Sequence, residues 1–405
     1  MVLPQTEKIQ LSQDHIREVV DKIYYGMNKR LLFITHHKLD ENNGGSNASK
    51  GFIHCFASLF EECAIICPKI HSTTPYLPQN VEYYPLHDTR SKVRKFFDMY
   101  RGRISGIYYA VKEHLKENKY DIVVIDHSFS GAGLSKYIKS TGSQLITIHH
   151  NVERDYLRDN GKERPLFYRH AFLHYSKKSE RDCLKNSDVN LTVTKRDASI
   201  FSTWYPNIKV YPWGIFEYRP LPDKTFVNKG KKHTFIITGS LYFAQSLLPI
   251  MDFVDKYWPL VREQYPNATL LIAGRNPSEE LKRKCGVTEG ITLIPNPEDI
   301  NEVVQRADYY ICPIFAGSGL KLRIYDGLKQ GLPVLCHEVS AAGYEEIEYK
   351  HCLFTYRDKN SFSTSLRSML STVVSQEDVY NTYRKAFSLE TGIKKLQEII
   401  EKENI

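Results

Sequence analysis

Short apolar runs alternate with helix-length amphipathic stretches along most of this chain, and the alternation stops once and then begins again. The first series of runs lies at residues 30–35, 64–67, 122–125, 145–148 and 189–193, each rich in Ile, Val and Leu. Runs this short and this continuously apolar fit strands buried on both faces. With helices between them they specify a parallel sheet covered on both sides. Around residues 210–232 the pattern lapses into Pro212, Gly214, Pro220, Pro222 and Gly230, the composition of a connector. It resumes at 234–237, 268–273, 291–294, 309–312 and 333–336. The expected architecture is α/β, with two doubly wound domains at residues 29–213 and 233–385 joined by a linker at 214–232. Ile16, Val19, Val20 and Ile23 at helical spacing make 1–28 a helical extension, and 386–405 reads as a C-terminal helix. A helix is also expected from Ala48 to Cys63.

Composition narrows the function classes. A chain of 405 residues is long for one core, which agrees with two domains. No apolar run approaches the ~18 residues of a membrane span, and the first 21 residues lack a signal-peptide core. A cytoplasmic protein is therefore expected, with its eight cysteines reduced and mostly inside apolar runs. Cys63 and Cys67, four residues apart, would share one helix face, and no paired ligand set makes them a metal site. The formal charge of +8 favours anionic partners. Residues 90–103 and 162–181 concentrate cations among aromatics, a composition suited to the anionic inner face of a membrane. Nucleic acid is not an expected partner, because no reading motif accompanies the charge.

Chemistry concentrates in residues 312–334. The run Tyr309–Cys312 stops at Pro313 and a small-residue turn containing Gly317, Ser318 and Gly319. Leu320, Lys321, Arg323 and Asp326 follow, and a Gly-Leu-Pro-Val restart opens the next strand. A strand, a glycine turn and a helix start aim backbone N–H groups at one point, which suits a phosphate. Lys321 and Arg323 add charge there, and Asp326 can accept from sugar hydroxyls. Dinucleotide and Walker fingerprints are absent: Gly131-Ala132-Gly133 and Gly317-Ser318-Gly319 lack the third glycine, and no Ser or Thr follows Lys321.

The layout and this segment resemble the GT-B glycosyltransferases, in particular the large group-1 family numbered four. Further landmarks follow in order: Gly44-Gly45 after the first strand, His150-Asn151-Val152-Glu153, Thr194 to Phe201, Tyr211-Pro212-Trp213-Gly214, Thr238-Gly239-Ser240-Leu241, and Ile272-Ala273-Gly274-Arg275. The resemblance implies a GT-B fold and transfer from a nucleotide diphosphate sugar, UDP- or GDP-linked, with retention of configuration and no resident metal or cofactor. The acceptor it implies is a glycan or lipid-linked glycan of the cell envelope. Gly239, Ser240, Arg275, Gly317 to Lys321, Arg323 and Asp326 would bind the donor. The family's two glutamates, with seven residues between them, fall here at Ser318 and Asp326, so the carboxylate that usually touches the donor sugar is missing.

His150 is the expected catalytic residue, since it ends a buried strand where ligands of open α/β sheets collect. His149, its neighbour on the other face, competes for that role. Gly44, Gly45, His127, Asn151 and Glu153 are the other expected acceptor-side residues. A homo-oligomer fits the same reading. Two rivals remain: a non-catalytic GT-B subunit supporting a partner glycosyltransferase, and a sugar-nucleotide epimerase, which would need further cleft carboxylates.

Overall fold

A computed structural model describes residues 27–405 except 42, 72–75, 89, 102, 104–105, 156–165, 227–231, 318 and 349–350. The expected extension at 1–28 and the position of Ser318 therefore lie essentially outside the described residues. The strands are β1 (Met27–Thr35), β2 (Phe60–Pro68), β3 (Val81–Leu86), β4 (Ile122–Asp126), β5 (Gln144–His149), β6 (Val189–Thr192), β7 (Val210–Pro212), β8 (Thr234–Ser240), β9 (Thr269–Arg275), β10 (Ile291–Pro295), β11 (Tyr309–Cys312), β12 (Val334–His337) and β13 (Leu353–Tyr356). They form a seven-stranded sheet in the order β3-β2-β1-β4-β5-β6-β7 and a six-stranded sheet in the order β10-β9-β8-β11-β12-β13. Every pairing is parallel.

The helices that bear on the site are α1 (Gly44–Ala57), α2 (Lys92–Arg101), α3 (Leu166–Asn186), α4 (Lys195–Trp204), α5 (Ala244–Lys256), α6 (Arg323–Leu328), α7 (Gln376–Phe387) and α8 (Leu389–Glu403). The expectation of a helix from Ala48 to Cys63 is corrected. The α1 helix ends at Ala57 with Ser58 as its C-cap, and Phe60 already pairs with β1. Cys63 and Cys67 consequently lie in β2 and point into the core beneath the sheet.

Strand order dictates where ligands collect. In each sheet the chain leaves the first-formed strand in opposite directions, so a crevice opens at its carboxyl end. One crevice lies between β1 and β4, whose ends are aligned by the pairing of Thr35 with Asp126. The other lies between β8 and β11.

The connector between the sheets is held from both sides. Trp213 Nε1 donates to Gly392 O of α8 at 3.0 Å, and the Trp213 ring stacks on Phe52 of α1. Tyr325 of α6 donates to Ile215 O at 3.1 Å, and Glu217 accepts from Tyr383 at 2.5 Å and Lys329 at 2.8 Å. The last helix returns to the first sheet's side, where Lys209 pairs with Glu403 at 2.5 Å. Phe52, Phe56, Trp213, Phe216, Tyr325, Tyr383 and Leu396 thus share one apolar cluster running from α1 to α7 and α8.

Candidate functional site

The crevice of the first sheet gathers histidines from three strand ends. His36 and His37 follow β1, His127 follows β4 and His150 follows β5. Their rings pack at 4.2 Å (His36–His37), 4.7 Å (His36–His127), 5.3 Å (His37–His150) and 4.8 Å (His127–His150). His127 takes a left-handed φ of 80°, an uncommon conformation for a residue with a Cβ and one that clusters at functional sites.

Asp126 organises the centre of this group. It is fully buried, and its Oδ1 accepts from His150 Nε2 at 2.6 Å while Ser49 Oγ of α1 donates to Oδ2. The charge of His150 is the first stabilising cause that holds the Asp126 carboxyl down at about 2, overcoming the larger opposing push of burial. The bond to Asp126 occupies His150 Nε2 and leaves Nδ1 as the ring's other polar atom.

The structure separates the two adjacent histidines. His149 is fully buried, bonded through Nε2 to Asn190 Oδ1 at 3.0 Å and packed on Phe201 at 4.8 Å. It is not brought into the cluster, because successive strand side chains alternate faces. Glu153 is also fully buried, 3.5 Å from His127 Nε2, and neither of its oxygens has a hydrogen-bond partner among the described residues. Burial, reinforced by Glu180 and Asp197, raises its carboxyl well above the usual range.

Gly44 and Gly45 open α1, capped by Asn43, whose side chain accepts from Ser46 N at 2.9 Å. A Cβ on Gly45 would overlap the His37 ring, so this glycine lets His37 lie against the helix start. A Cβ on Gly44 would come 3.5 Å from Leu322 Cδ1, across the cleft.

The second crevice faces the first. Gly239, at the end of β8, leaves room for the Arg323 guanidinium, which a Cβ there would overlap. Arg323 Nη2 donates to Ser246 Oγ of α5 at 2.5 Å. Its Nη1 and the neighbouring Ser240 Oγ are buried without a hydrogen-bond partner among the described residues. Lys321 folds over the glycine turn, donating to Gly317 O at 2.9 Å and Gly319 O at 3.1 Å, and burial lowers its pKa to about 8. Asp326 is open to solvent on one side while protein encloses its carboxyl on the others. That enclosure raises its carboxyl to about 6, against a hydrogen bond of 3.2 Å from Thr238 Oγ1 and the charge of Arg323. Thr238 is itself fixed by Tyr310 at 2.5 Å. Arg275 is exposed at the end of β9, its backbone in register with Ser240. The helix expected after the turn is only Arg323–Leu328. A helix this short carries little dipole, so the positive charge at this crevice rests on Lys321 and Arg323.

Two contacts join the crevices. Gly319, at φ 77°, abuts Asn151 so closely that a Cβ would overlap Asn151 Oδ1. Leu320 meets Gly343, which in turn abuts Thr194 before α4. His150 and the Lys321–Arg323 pair thereby belong to one cleft. Sequence reasoning missed Asp126, His36, His37, Ser49, Thr238 and Ser246. For the two histidines a signal existed, since they directly follow the first strand of a doubly wound domain.

Comparison with known proteins bears on the fold. Residues 232–372 match the family model described as glycosyl transferases group 1. Over 93% of this chain and 99% of the other, the fold superposes on sucrose-phosphate synthase from Thermosynechococcus elongatus with a TM-score of 0.65 at 12% identity. The fold is GT-B. A second GT-B neighbour, Anabaena HepE solved in complex with UDP, gives a TM-score of 0.63 at 10% identity over 92% of this chain and all of that one. In sequence, an uncharacterized 44.6 kDa protein in a cps region of Klebsiella pneumoniae is 22% identical over 249 residues, 58% of this chain and 61% of that relative. This chain thus spans about three-fifths of that relative's length. Among the described residues, no helix is long and apolar enough to cross a membrane.

Proposed function

We propose that this GT-B protein transfers a sugar from a nucleotide diphosphate sugar to a glycan or lipid-linked acceptor during envelope polysaccharide assembly. The observation that carries the reading is the meeting of Gly319 and Asn151, which sets the cationic turn of one crevice against the histidine-bearing strand ends of the other. Glycosyl transfer from such a donor requires the departing diphosphate to be stabilised as the anomeric bond breaks. Arg323, whose Nη1 has no hydrogen-bond partner among the described residues, Lys321 and the amides of the glycine turn supply that stabilisation. Asp326 accepts from the ribose hydroxyls. His150, held by Asp126, contacts the donor sugar near the reacting carbon, and the configuration is retained, as the family resemblance implies.

The polysaccharide context draws support from the relative in a cps region, and the nucleotide class from a fold neighbour solved with UDP. The α2 helix supports an acceptor held at a membrane surface. Val93, Phe96, Phe97 and Tyr100 form an exposed stripe at i, i+3, i+4, i+7, flanked by Lys92, Arg94, Lys95 and Arg101. Its buried side is held by Asp98, which accepts from Arg90 at 3.0 Å and Tyr109 at 2.8 Å.

A panel of nucleotide diphosphate sugars tests the reading. One donor should raise the melting temperature and undergo transfer or slow hydrolysis, with the product anomer read by NMR. Absence of stabilisation and turnover with every donor would overturn it and leave the supporting-subunit reading.

A further inference from the structure

The histidine cluster contains more imidazoles than the proposed transfer uses. His36, His37 and His127 take no part in the donor site, yet they converge at the switch point of the first sheet. Ligand atoms from the three lie within 4.8 Å of one another. His36 Nδ1 and His37 Nε2 are buried atoms without a hydrogen-bond partner among the described residues. Beside them stands Glu153, fully buried, 3.5 Å from His127 Nε2, with both carboxylate oxygens likewise unpartnered. Buried polar atoms are almost always satisfied. Here two imidazoles of one converging triad each leave a buried nitrogen unpartnered among the described residues, the pattern left where a cation belongs.

We infer that His36, His37 and His127 form a binding site for a divalent transition-metal ion such as Zn²⁺, with Glu153 as the carboxylate supporting His127. Three imidazoles select zinc, cobalt or nickel over magnesium or calcium, which prefer oxygen ligands. Metal–nitrogen bonds of about 2.0–2.1 Å bring tetrahedral ligands to roughly 3.4 Å apart. The triad therefore contracts on loading, by side-chain rotation at the crevice. His36 and His37 are partly open to solvent, which gives the ion a route in. Two features hold the site in place without serving the donor. Gly45 keeps the space that the His37 ring occupies, and the strained backbone at His127 turns its ring toward the other two.

The test uses the full chain stripped with EDTA and titrated with Co²⁺, whose visible ligand-field absorption reports tetrahedral nitrogen coordination. One saturable equivalent is expected. Zn²⁺ should displace it, and millimolar Mg²⁺ should not. His36→Gln and His127→Gln should abolish the absorption, while Glu153→Gln should weaken Co²⁺ binding by ~10–100-fold, the usual cost of losing a second-layer partner. Replacing His174, an exposed histidine on α3, should change nothing. If either variant fails to fold, His37→Gln gives the same reading. Lack of a saturable Co²⁺ spectrum in the native chain, or an unchanged spectrum in the folded triad variants, overturns the site and leaves ordered water as the occupant of the orphaned atoms. Nucleotide binding by the same samples keeps this outcome separate from failure of the transferase reading.

Discussion

Gly319 touches Asn151 across the cleft, and the contact exists only because Gly319 has no Cβ. It also needs the left-handed φ of 77° that glycine adopts freely. Gly319→Ala is therefore expected to lose on both counts. The backbone cost is about 1–2 kcal/mol, and the cleft is wedged apart. Nucleotide diphosphate affinity and turnover should both fall while each domain keeps its fold, as circular dichroism and calorimetric titration would show. Unchanged affinity would mean that the two crevices work independently.

Arg323→Ala and Lys321→Ala separate two kinds of positive charge. Arg323 has a buried nitrogen without a partner among the described residues; Lys321 is bonded to the turn it covers. Charge-assisted hydrogen bonds contribute about 1.5–3 kcal/mol, so Arg323→Ala should cost roughly 10–100-fold in nucleotide diphosphate affinity with little change in melting temperature. Lys321→Ala should lower affinity and also loosen the turn, lowering the melting temperature as well. Equal affinities in the native chain and the double variant would reject this segment as the diphosphate site.

Much of this was legible in the sequence, and what was missed has a physical pattern. The strands legible in the sequence are mostly interior ones, apolar throughout because both faces are covered. The three overlooked strands, β3, β7 and β13, are all edge strands. An edge tolerates Glu82 in β3 and Pro212 in β7 because one side makes no ladder bonds. Site residues at strand ends were visible for a similar reason: an apolar run that stops at a polar residue marks a crevice. Partnerships were not visible. Asp126 and His150 are 24 residues apart and meet only because β4 and β5 are neighbours. Arg323 and Ser246 are 77 apart and meet around the second crevice. Local periodicity carries no such information.

The donor site should have a pH window. Asp326 must be ionised to accept from hydroxyls, and its carboxyl sits at about 6. Lys321 must be charged to stabilise a diphosphate, and it sits at about 8. Affinity is expected to peak between those values, and Asp326→Asn should flatten the acid limb. Stability moves the other way. A carboxyl raised in the folded state favours folding below its unfolded pKa of about 4, and that contribution is lost as pH rises through about 6. Asp326→Asn should therefore melt higher than the native chain at pH 7.5 and level with it at pH 3.5. A lower melting temperature at both would make Asp326 structural.

If α2 lies on a membrane, its exposed stripe carries the apolar part of the contact. Phe96 is 45% exposed and Phe97 55% exposed. Replacing both with Ser leaves Asp98 and its anchoring bonds intact. Vesicles containing anionic lipid should sediment the native chain and release it in high salt, since exposed charges are screened. The double variant should stay in the supernatant, with nucleotide affinity unaltered. Equal sedimentation would place the membrane contact elsewhere or remove it.

His150 and Asp126 should act as a unit. Asp126→Asn can keep the geometry but offers an amide where a carboxylate fixed the imidazole, so His150 loses its set tautomer. His150→Ala removes the ring that, in the proposed transfer, meets the donor sugar. Both changes should reduce kcat at least ~10-fold, within the usual reach of a positioned proton-transfer or polar group, and leave nucleotide diphosphate affinity near native because neither residue touches the Arg323 crevice. The double variant should be no slower than the worse single, as expected of residues acting through one another. Additive losses would show that Asp126 serves the fold through Ser49 and β1 rather than the reaction through His150. A drop in affinity without a drop in kcat would move His150 out of the reacting centre and into donor binding.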